Sequence, residues 1–430
     1  MSAPRARWTD RIRARGRALL VASGLGMLMP LALAPSGPAF AGTPAAAGGA
    51  ALVPVPPPDI PGATLLPQSY ADLDGWAQDD HAAAFATFLA SCAAFAVPPA
   101  EIGPASAPTL RAGLVRACAL ARRLGTAKPS DTVARLFFEV AFRPFRVVPG
   151  GSGAAFYTGY YEPEVAGALG PGNGFDVPVY RRPDDLLMQG AGPAPNSGGA
   201  LRRTADGLVP YHDRAAIEDG ALAGRGLEVV WLRDPIDLFF MQIQGSARVR
   251  LPDGRVLRLN YDGYNGHPYL PVGRLLIQRG LVPREEMSMA RIRAFMEADP
   301  AAGRALRREN RSYVFFKALE LGADAGAMGA QGVPLTAGRS IAVDRTLHTY
   351  GAPVFVEADL PLSTPGGAEP FRRLVIAQDT GSAIVGPARA DIYFGTGREA
   401  GEVAGRIRHP GRFTLLVPRF APAGAGDRAP

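Results

Sequence analysis

Ser340-Ile341-Ala342-Val343-Asp344-Arg345, Val375-Ile376-Ala377-Gln378-Asp379-Thr380-Gly381 and Ala390-Asp391-Ile392-Tyr393 are three short apolar runs, each closed or opened by an aspartate. Runs of this length, rich in Val and Ile, read as β-strands. Strands that converge in one sheet bring their ends together, which makes Asp344, Asp379 and Asp391 candidates for a single carboxylate cluster. Clustered carboxylates push one another's pKa upward, so one of them stays protonated near neutral pH and can act as an acid. The plainer alternative is three turn or cap aspartates that solvate loop ends. From the pattern alone that alternative is better supported.

Working outward, the spacing predicts further strands over 354–358, 373–378, 392–394 and 412–417. Upstream, β-prone runs stand at 156–161, 177–180, 227–232, 239–243, 247–251 and 256–261. Pro252-Asp253-Gly254 between the last two reads as a hairpin turn. Helices are expected over 272–279 and 283–297, the second with Glu285 and Glu286 in its first turn and Asp299-Pro300 at its stop. Near the start, 75–95, 107–124 and 132–143 read as helical. Phe85, Phe88 and Leu89 recur at helix spacing, as do Leu110, Leu114, Ala117, Cys118 and Ala121. No internal repeat of fixed period is present.

The chain has 430 residues, 47% of them hydrophobic, with 52 Gly, 41 Pro and 3 Trp. It is long enough for about two domains, and its composition suits a loop- and strand-rich protein. Residues 1–41 read as an export signal: six Arg precede an apolar run, and Ala39-Phe40-Ala41 offers a cleavage site. An uncleaved anchor helix is the alternative, opposed by Pro30 and Pro35. The signal holds six Arg and one Asp, so its +5 leaves only about +2 of the chain's +7 for the remainder. Nucleic acid is therefore not an expected partner. Residues 42–68 read as a flexible Ala/Pro/Gly-rich linker and residues 421–430 as a disordered tail. Cys92 and Cys118 are the two cysteines. Export would allow them to form a disulfide joining two helices, or they remain two buried thiols. With five scattered His and no more Cys, no metal site and no cofactor are expected.

Other segments mix aromatic with amide or hydroxyl side chains: Phe156-Tyr157-Thr158-Gly159-Tyr160-Tyr161-Glu162-Pro163, Met241-Gln242-Ile243-Gln244-Gly245-Ser246 and Tyr261-Asp262-Gly263-Tyr264-Asn265-Gly266. Aromatic rings can stack on sugar faces while amides and hydroxyls bond the sugar rims. An ordinary half-buried β surface accounts for each segment taken singly. Asp379-Thr380-Gly381-Ser382 also spells an aspartic-protease loop, but that chemistry needs two such loops and this chain has one. Gly395-Thr396-Gly397 with Gly401 lacks the spacing of a dinucleotide fingerprint.

Taken in order, these segments resemble the membrane-bound lytic murein transglycosylase A family. The resemblance runs over residues 156–418. It is carried by Thr158-Gly159-Tyr160-Tyr161-Glu162-Pro163, Tyr180-Arg181-Arg182-Pro183, the run Asp237 to Ser246, Tyr264-Asn265-Gly266, Gly332-Val333-Pro334-Leu335-Thr336 and Asp391-Ile392-Tyr393-Phe394-Gly395. It implies a mainly β chain with N-terminal helices: a double-psi β-barrel with a second β-barrel inserted and a glycan groove between them. The expected division is 69–155 helical region, 156–315 inserted substrate domain and 316–420 catalytic barrel with the three aspartates. The implied reaction is cleavage of peptidoglycan between N-acetylmuramic acid and N-acetylglucosamine, leaving a 1,6-anhydro end. A hydrolytic muramidase and a non-catalytic peptidoglycan-binding protein are the alternatives. Asp391 matches the family's acid, with Asp379 and Asp344 as its barrel companions. Thr158, Tyr161, Glu162, Gln242, Gln244, Ser246, Asn265 and Tyr393 are the expected substrate-contacting residues. Glu162 stands where some members have Thr. Members are often lipoproteins, and no Cys stands at this signal's cleavage point. The expectation is therefore a periplasmic monomer, its outer-membrane association left open. Its partners would be glycan strands, with cell-wall synthesis or division proteins as candidates.

Overall fold

A computed structural model describes residues 51–95, 108–125, 129–151, 153–189, 199–322, 325–363 and 366–424. The expected signal segment and the end of the expected tail lie outside them.

Six strands close into a ring. Pro353–Leu360 pairs antiparallel with Glu369–Asp379, which pairs parallel with Ser340–Val343. Ser340–Val343 pairs antiparallel with Arg389–Thr396, which pairs parallel with Ala155–Glu162. Arg408–Pro418 pairs with Ala155–Glu162 and returns to Pro353–Leu360, closing the barrel. Closure removes the exposed edges that an open sheet would leave. This is the double-psi barrel of the expected fold class. The ring is completed by a strand from far upstream. Ala155–Glu162, at the start of the expected inserted domain, pairs with two barrel strands. The expected boundary at 315 cuts through the strand Val314–Leu319.

The inserted unit is a six-stranded sheet in the order Val314–Leu319, Val256–Tyr264, Ser246–Arg250, Glu164–Ala168, Glu228–Leu232, Val177–Tyr180. Its two end strands approach each other, so the sheet curls on itself around a core that includes Val179, Val230, Leu232, Ala247, Val249 and Phe315. One expected strand is a helix instead. Residues 239–243 lie within the helix Pro235–Gln244, with Asp234 accepting the Ile236 N–H at its start and Gly245 left-handed at its end. These are strong helix boundaries. Ile236, Leu238, Phe239, Phe240 and Met241 are all buried, so the helix packs on more than one side and its sequence carries no alternation.

Parts of the expected linker, and the first two residues of the expected tail, form strands. Ala63–Pro67 is an edge strand on Phe142–Pro149, and Leu52–Pro54 pairs with Phe420–Pro422. Val55, Ile60 and Ala421 are buried in the main core. Proline is tolerated at such edges, where a missing N–H costs no ladder bond, so a Pro-rich composition hid short strands.

The helices His81–Ala94, Pro108–Arg123 and Asp131–Ala141 pack against the barrel. Asp80 and Ser130 cap two of them by accepting N–H bonds from Ala83 and Val133. Phe85, Phe88, Phe137, Phe138 and Phe142 form edge-to-face contacts at centroid distances of 5.1–6.5 Å. Cys92 and Cys118 are joined by a disulfide. Asp79 receives both Arg339 guanidinium nitrogens at 2.8 Å and the Leu374 N–H at 2.7 Å, which ties this region to two barrel strands.

Candidate active site

Strand register builds the site. Thr158 lies opposite Asp391, Asp391 opposite Ala342, and Ala342 opposite Asp379. Residues directly opposite one another share a face, so one row carries Thr158, Asp391, Ala342 and Asp379. A bulge makes this alignment. Ile341 pairs with Ala377 but Ala342 pairs with Asp379, so Gln378 is skipped. Without the bulge Ala342 would face Gln378. Neighbours on the alternate face, Tyr157, Ile341, Ala390 and Ile392, belong to the main core. Around the row Tyr160, Tyr393, Ala342, Leu335, Ala327 and Ile384 form a separate apolar cluster. Ala342 places only a methyl group between the two aspartates.

The two carboxylates are satisfied differently. Asp379 Oδ1 accepts N–H bonds from Ala330 and Thr380, both at 2.9 Å, and Oδ2 accepts the Tyr160 hydroxyl at 2.8 Å. Asp391 Oδ1 accepts the Thr158 hydroxyl at 2.6 Å, and among the described residues its Oδ2 accepts nothing. The Thr158 oxygen in turn accepts a bond from Arg389 Nη2 at 2.7 Å. Burial raises the pKa of Asp391 above the ordinary carboxylate value, against the opposing pull of Arg389 and Thr158. Burial also raises Asp379, to about 6. Its three hydrogen bonds oppose the shift and the charge of Asp391 adds to it.

Asp344 stands apart. It is buried and spends both oxygens on its own loop: Oδ1 on the Thr346 N–H and hydroxyl, Oδ2 on the Gly386 N–H. Of the three aspartates, this one fits the loop-cap reading.

The expected substrate residues divide. Thr158 touches Asp391. Tyr161 and Gln244 are half-buried, and the Gln244 side-chain oxygen accepts the Tyr161 N–H at 3.0 Å. Glu162 has a side-chain exposure of 1% and receives Arg248 at 2.8 Å, Arg258 at 3.1 Å and the Thr396 hydroxyl at 2.9 Å. It clamps the inserted sheet to the barrel and has no oxygen free for a sugar. Asn265 is fully buried and bridges loop backbone, donating to the His212 and Arg311 carbonyls and accepting the Tyr313 N–H. Gln242 is buried and donates to the Val314 carbonyl. Ser246 is buried. Tyr393 is 2% exposed, its hydroxyl accepting the Ala327 N–H at 3.3 Å and its ring 5.3 Å from that of Tyr160. Glu162, Gln242, Asn265, Ser246 and Tyr393 are thus buried side chains, and the first three and Tyr393 bond to other parts of the chain. Sequence reasoning passed over Tyr160 and Arg389. Arg389 and Tyr393 lie two residues either side of Asp391, on its face of the strand, and that spacing was the available signal. No group of His, Cys, Asp and Glu able to hold a metal occurs among the described residues.

Residues 156–317 match the family described as the MltA specific insert domain, and residues 339–417 match the 3D domain. The chain is 36% identical over 269 residues to the membrane-bound lytic murein transglycosylase A of Vibrio cholerae, covering 61% of this chain and 66% of that one. The crystal structure of a membrane-bound lytic murein transglycosylase from Agrobacterium tumefaciens superposes with a TM-score of 0.73 at 39% identity, over 83% of this chain and 98% of that one. The chain belongs to the membrane-bound lytic murein transglycosylase A family. The structure of Escherichia coli MltA with bound chitohexaose, 26% identical, is a further neighbour at a TM-score of 0.58, over 87% of this chain and 97% of that one. The first matched region spans the inserted sheet and also the barrel strand Ala155–Glu162, the second covers the other five barrel strands, and Asp391 lies where one of these, Arg389–Thr396, runs toward the Glu162 clamp.

Proposed function

We propose that this chain is a peptidoglycan lytic transglycosylase that cleaves the β-1,4 bond between N-acetylmuramic acid and N-acetylglucosamine, with Asp391 as acid and then as base. The observation that carries the reading is the asymmetry of the carboxylate pair. Asp379 is saturated by three donors, while Asp391 has one oxygen held and one free, in surroundings that favour its protonated form.

Protonated Asp391 gives its proton from Oδ2 to the glycosidic oxygen, and the bond to the anomeric carbon breaks. Covering Asp391 with a sugar removes its remaining water and raises its pKa further, which keeps the acid loaded. Positive charge develops at the anomeric carbon, where the substrate's acetamido group can share it. Ionised Asp391 then takes the proton from the sugar's 6-hydroxyl, whose oxygen attacks the anomeric carbon and closes the 1,6-anhydro ring. No water is consumed, and Asp391 ends protonated. Thr158 holds Oδ1 throughout, and Arg389 orients the Thr158 hydroxyl. A glycosidase that hydrolyses uses two carboxylates flanking the bond. Asp379, fully bonded on the same face, supplies charge instead of a nucleophile. The chain acts, on this reading, in the periplasm, where the wall is.

The test is incubation of the chain from Gly42 with purified sacculi, with Asp391→Asn alongside, and mass spectrometry of the soluble products. Anhydro-muropeptides from the wild type and none from the variant are expected. Hydrated muropeptides, or activity retained by Asp391→Asn, would overturn the reading.

A further inference from the structure

We infer that Gln378 is a positioning residue for the reaction: held by the helix His81–Ala94, it fixes the bulge that turns Asp379 into the row of Asp391. The inference rests on the function proposed above. It gives a part in the active site to a helix that lies outside both matched regions, 156–317 and 339–417.

Gln378 is fully buried, as are Thr87, Ser91 and Ser340 around it. Its Nε2 donates to the Thr87 carbonyl at 3.1 Å and to the Ser91 hydroxyl at 2.7 Å, and its Oε1 accepts the Ser340 hydroxyl. Ser340 Oγ in turn accepts the Thr336 N–H at 2.7 Å. The main chain is held as well. The Gln378 carbonyl accepts the Gln331 N–H at 3.0 Å, and the residue before Gln331 in that loop, Ala330, donates its N–H to Asp379 Oδ1 at 2.9 Å. One loop therefore grips the bulge and the carboxylate together. The helix is itself anchored at this level, since Cys92, the neighbour of Ser91, is bridged to Cys118.

Adjacent side chains of a strand point to opposite faces, so Gln378 and Asp379 cannot both join the row of Asp391. In a regular register Gln378 would oppose Ala342 and Asp379 would turn away, giving up the Ala330 and Tyr160 bonds. The bulge costs one unpaired residue in the ladder, and something must hold that residue where it is. A buried amide without partners is expensive, whereas one with all its partners in place is bound firmly to a single arrangement. The helix side offers Gln378 two acceptors and a donor, and these contacts exist only in the bulged register. Gln378 thus acts through Asp379, which supplies charge beside the acid, and the helix is the fixed wall against which the register is set.

The experiment compares kcat and KM on soluble, uncross-linked glycan strands for wild type, Gln378→Met, Ser91→Ala and Phe85→Leu. Gln378→Met keeps the length of the side chain and makes none of its bonds. Phe85 packs on Phe137 and Phe138, so Phe85→Leu weakens the same helix without touching Gln378. The expected fall in kcat is about twentyfold for Gln378→Met and about fivefold for Ser91→Ala, KM staying within about twofold in both. Phe85→Leu should melt at a lower temperature and keep kcat within about twofold of wild type. A crystal structure of Gln378→Met reads the placement without turnover and should show Asp379 off the Tyr160 hydroxyl. Asp379 still on that hydroxyl, kcat unchanged in Ser91→Ala, or an equal loss of kcat in Phe85→Leu and Ser91→Ala would overturn the inference. If Gln378→Met does not fold, the comparison of Ser91→Ala with Phe85→Leu still gives the answer. Failure of the proposed reaction would show separately, as an absence of anhydro products from the wild type.

Discussion

Asp379→Asn separates the electrostatics of the site from its turnover. The side-chain oxygen of Asn can keep the N–H bonds from Ala330 and Thr380, and its NH2 can donate to the Tyr160 hydroxyl. The contacts survive and the buried charge is gone. Burial lifts Asp379 from 3.8 to about 6. A carboxyl whose folded pKa lies above its unfolded value binds its proton more tightly when folded. Its contribution to stability is therefore fully present below pH 3.8 and is lost as the pH rises through about 6. A difference of about two pH units corresponds to roughly 3 kcal/mol. Asp379→Asn should thus be more stable than wild type by up to about 3 kcal/mol at pH 7.5 and nearly equal to it at pH 4. Denaturant melts of both proteins at pH 4, 5, 6 and 7.5 give the difference directly, and comparison at each pH cancels the titration of the other carboxylates. A difference that does not change with pH, or one that favours wild type at pH 7.5, would refute the argument.

Four further outcomes are expected. Asp391→Asn should lose release of anhydro-muropeptides at least a thousandfold in a sacculus digest, with its circular dichroism unchanged. Thr158→Val removes the bond that lowers Asp391, so the alkaline limb of the kcat/KM profile should move to higher pH while kcat falls about tenfold; a limb that moves down would count against the assignment. Glu162→Gln removes the buried negative charge that Arg248 and Arg258 share, and a denaturant melt should show a loss of about 3–5 kcal/mol. Reducing the Cys92–Cys118 bridge, or replacing both cysteines with Ser, should cost about 3 kcal/mol, read the same way.

Much of the barrel was legible locally. Ser340–Val343 was read residue for residue, and the strands Pro353–Leu360, Arg389–Thr396 and Arg408–Pro418 were read short by a few residues at their ends. Many of their buried residues are β-branched or aromatic, among them Ile341, Val343, Val354, Phe355, Ile392, Phe413 and Val417, and turn residues punctuate them. The helix Pro235–Gln244 was misread because its central apolar run outweighed the caps on either side, although Asp234, Pro235 and Gly245 were visible in the sequence. Short edge strands in the Pro-rich start were missed because composition there points to a tether while the pairing partners are remote in sequence, Pro149 for Ala63 and Pro422 for Leu52.

What the sequence determined by itself is the inventory: apolar runs of strand length, the aspartates that punctuate them, and the order of segments that marks the family. Those properties belong to neighbours along the chain, where propensity and spacing act. Only the tertiary structure decided which carboxylates meet. The Gln378 bulge turns Asp379 into the row of Asp391, a strand from across the inserted domain brings Thr158 to the acid, and Asp344 is left to its own loop. Glu162, the one carboxylate of the Thr158-Gly159-Tyr160-Tyr161-Glu162-Pro163 segment, is consumed by two arginines from the inserted sheet. Register and ring closure are long-range choices fixed by burying one face of every strand at once, and no local pattern encodes which partner that burial selects.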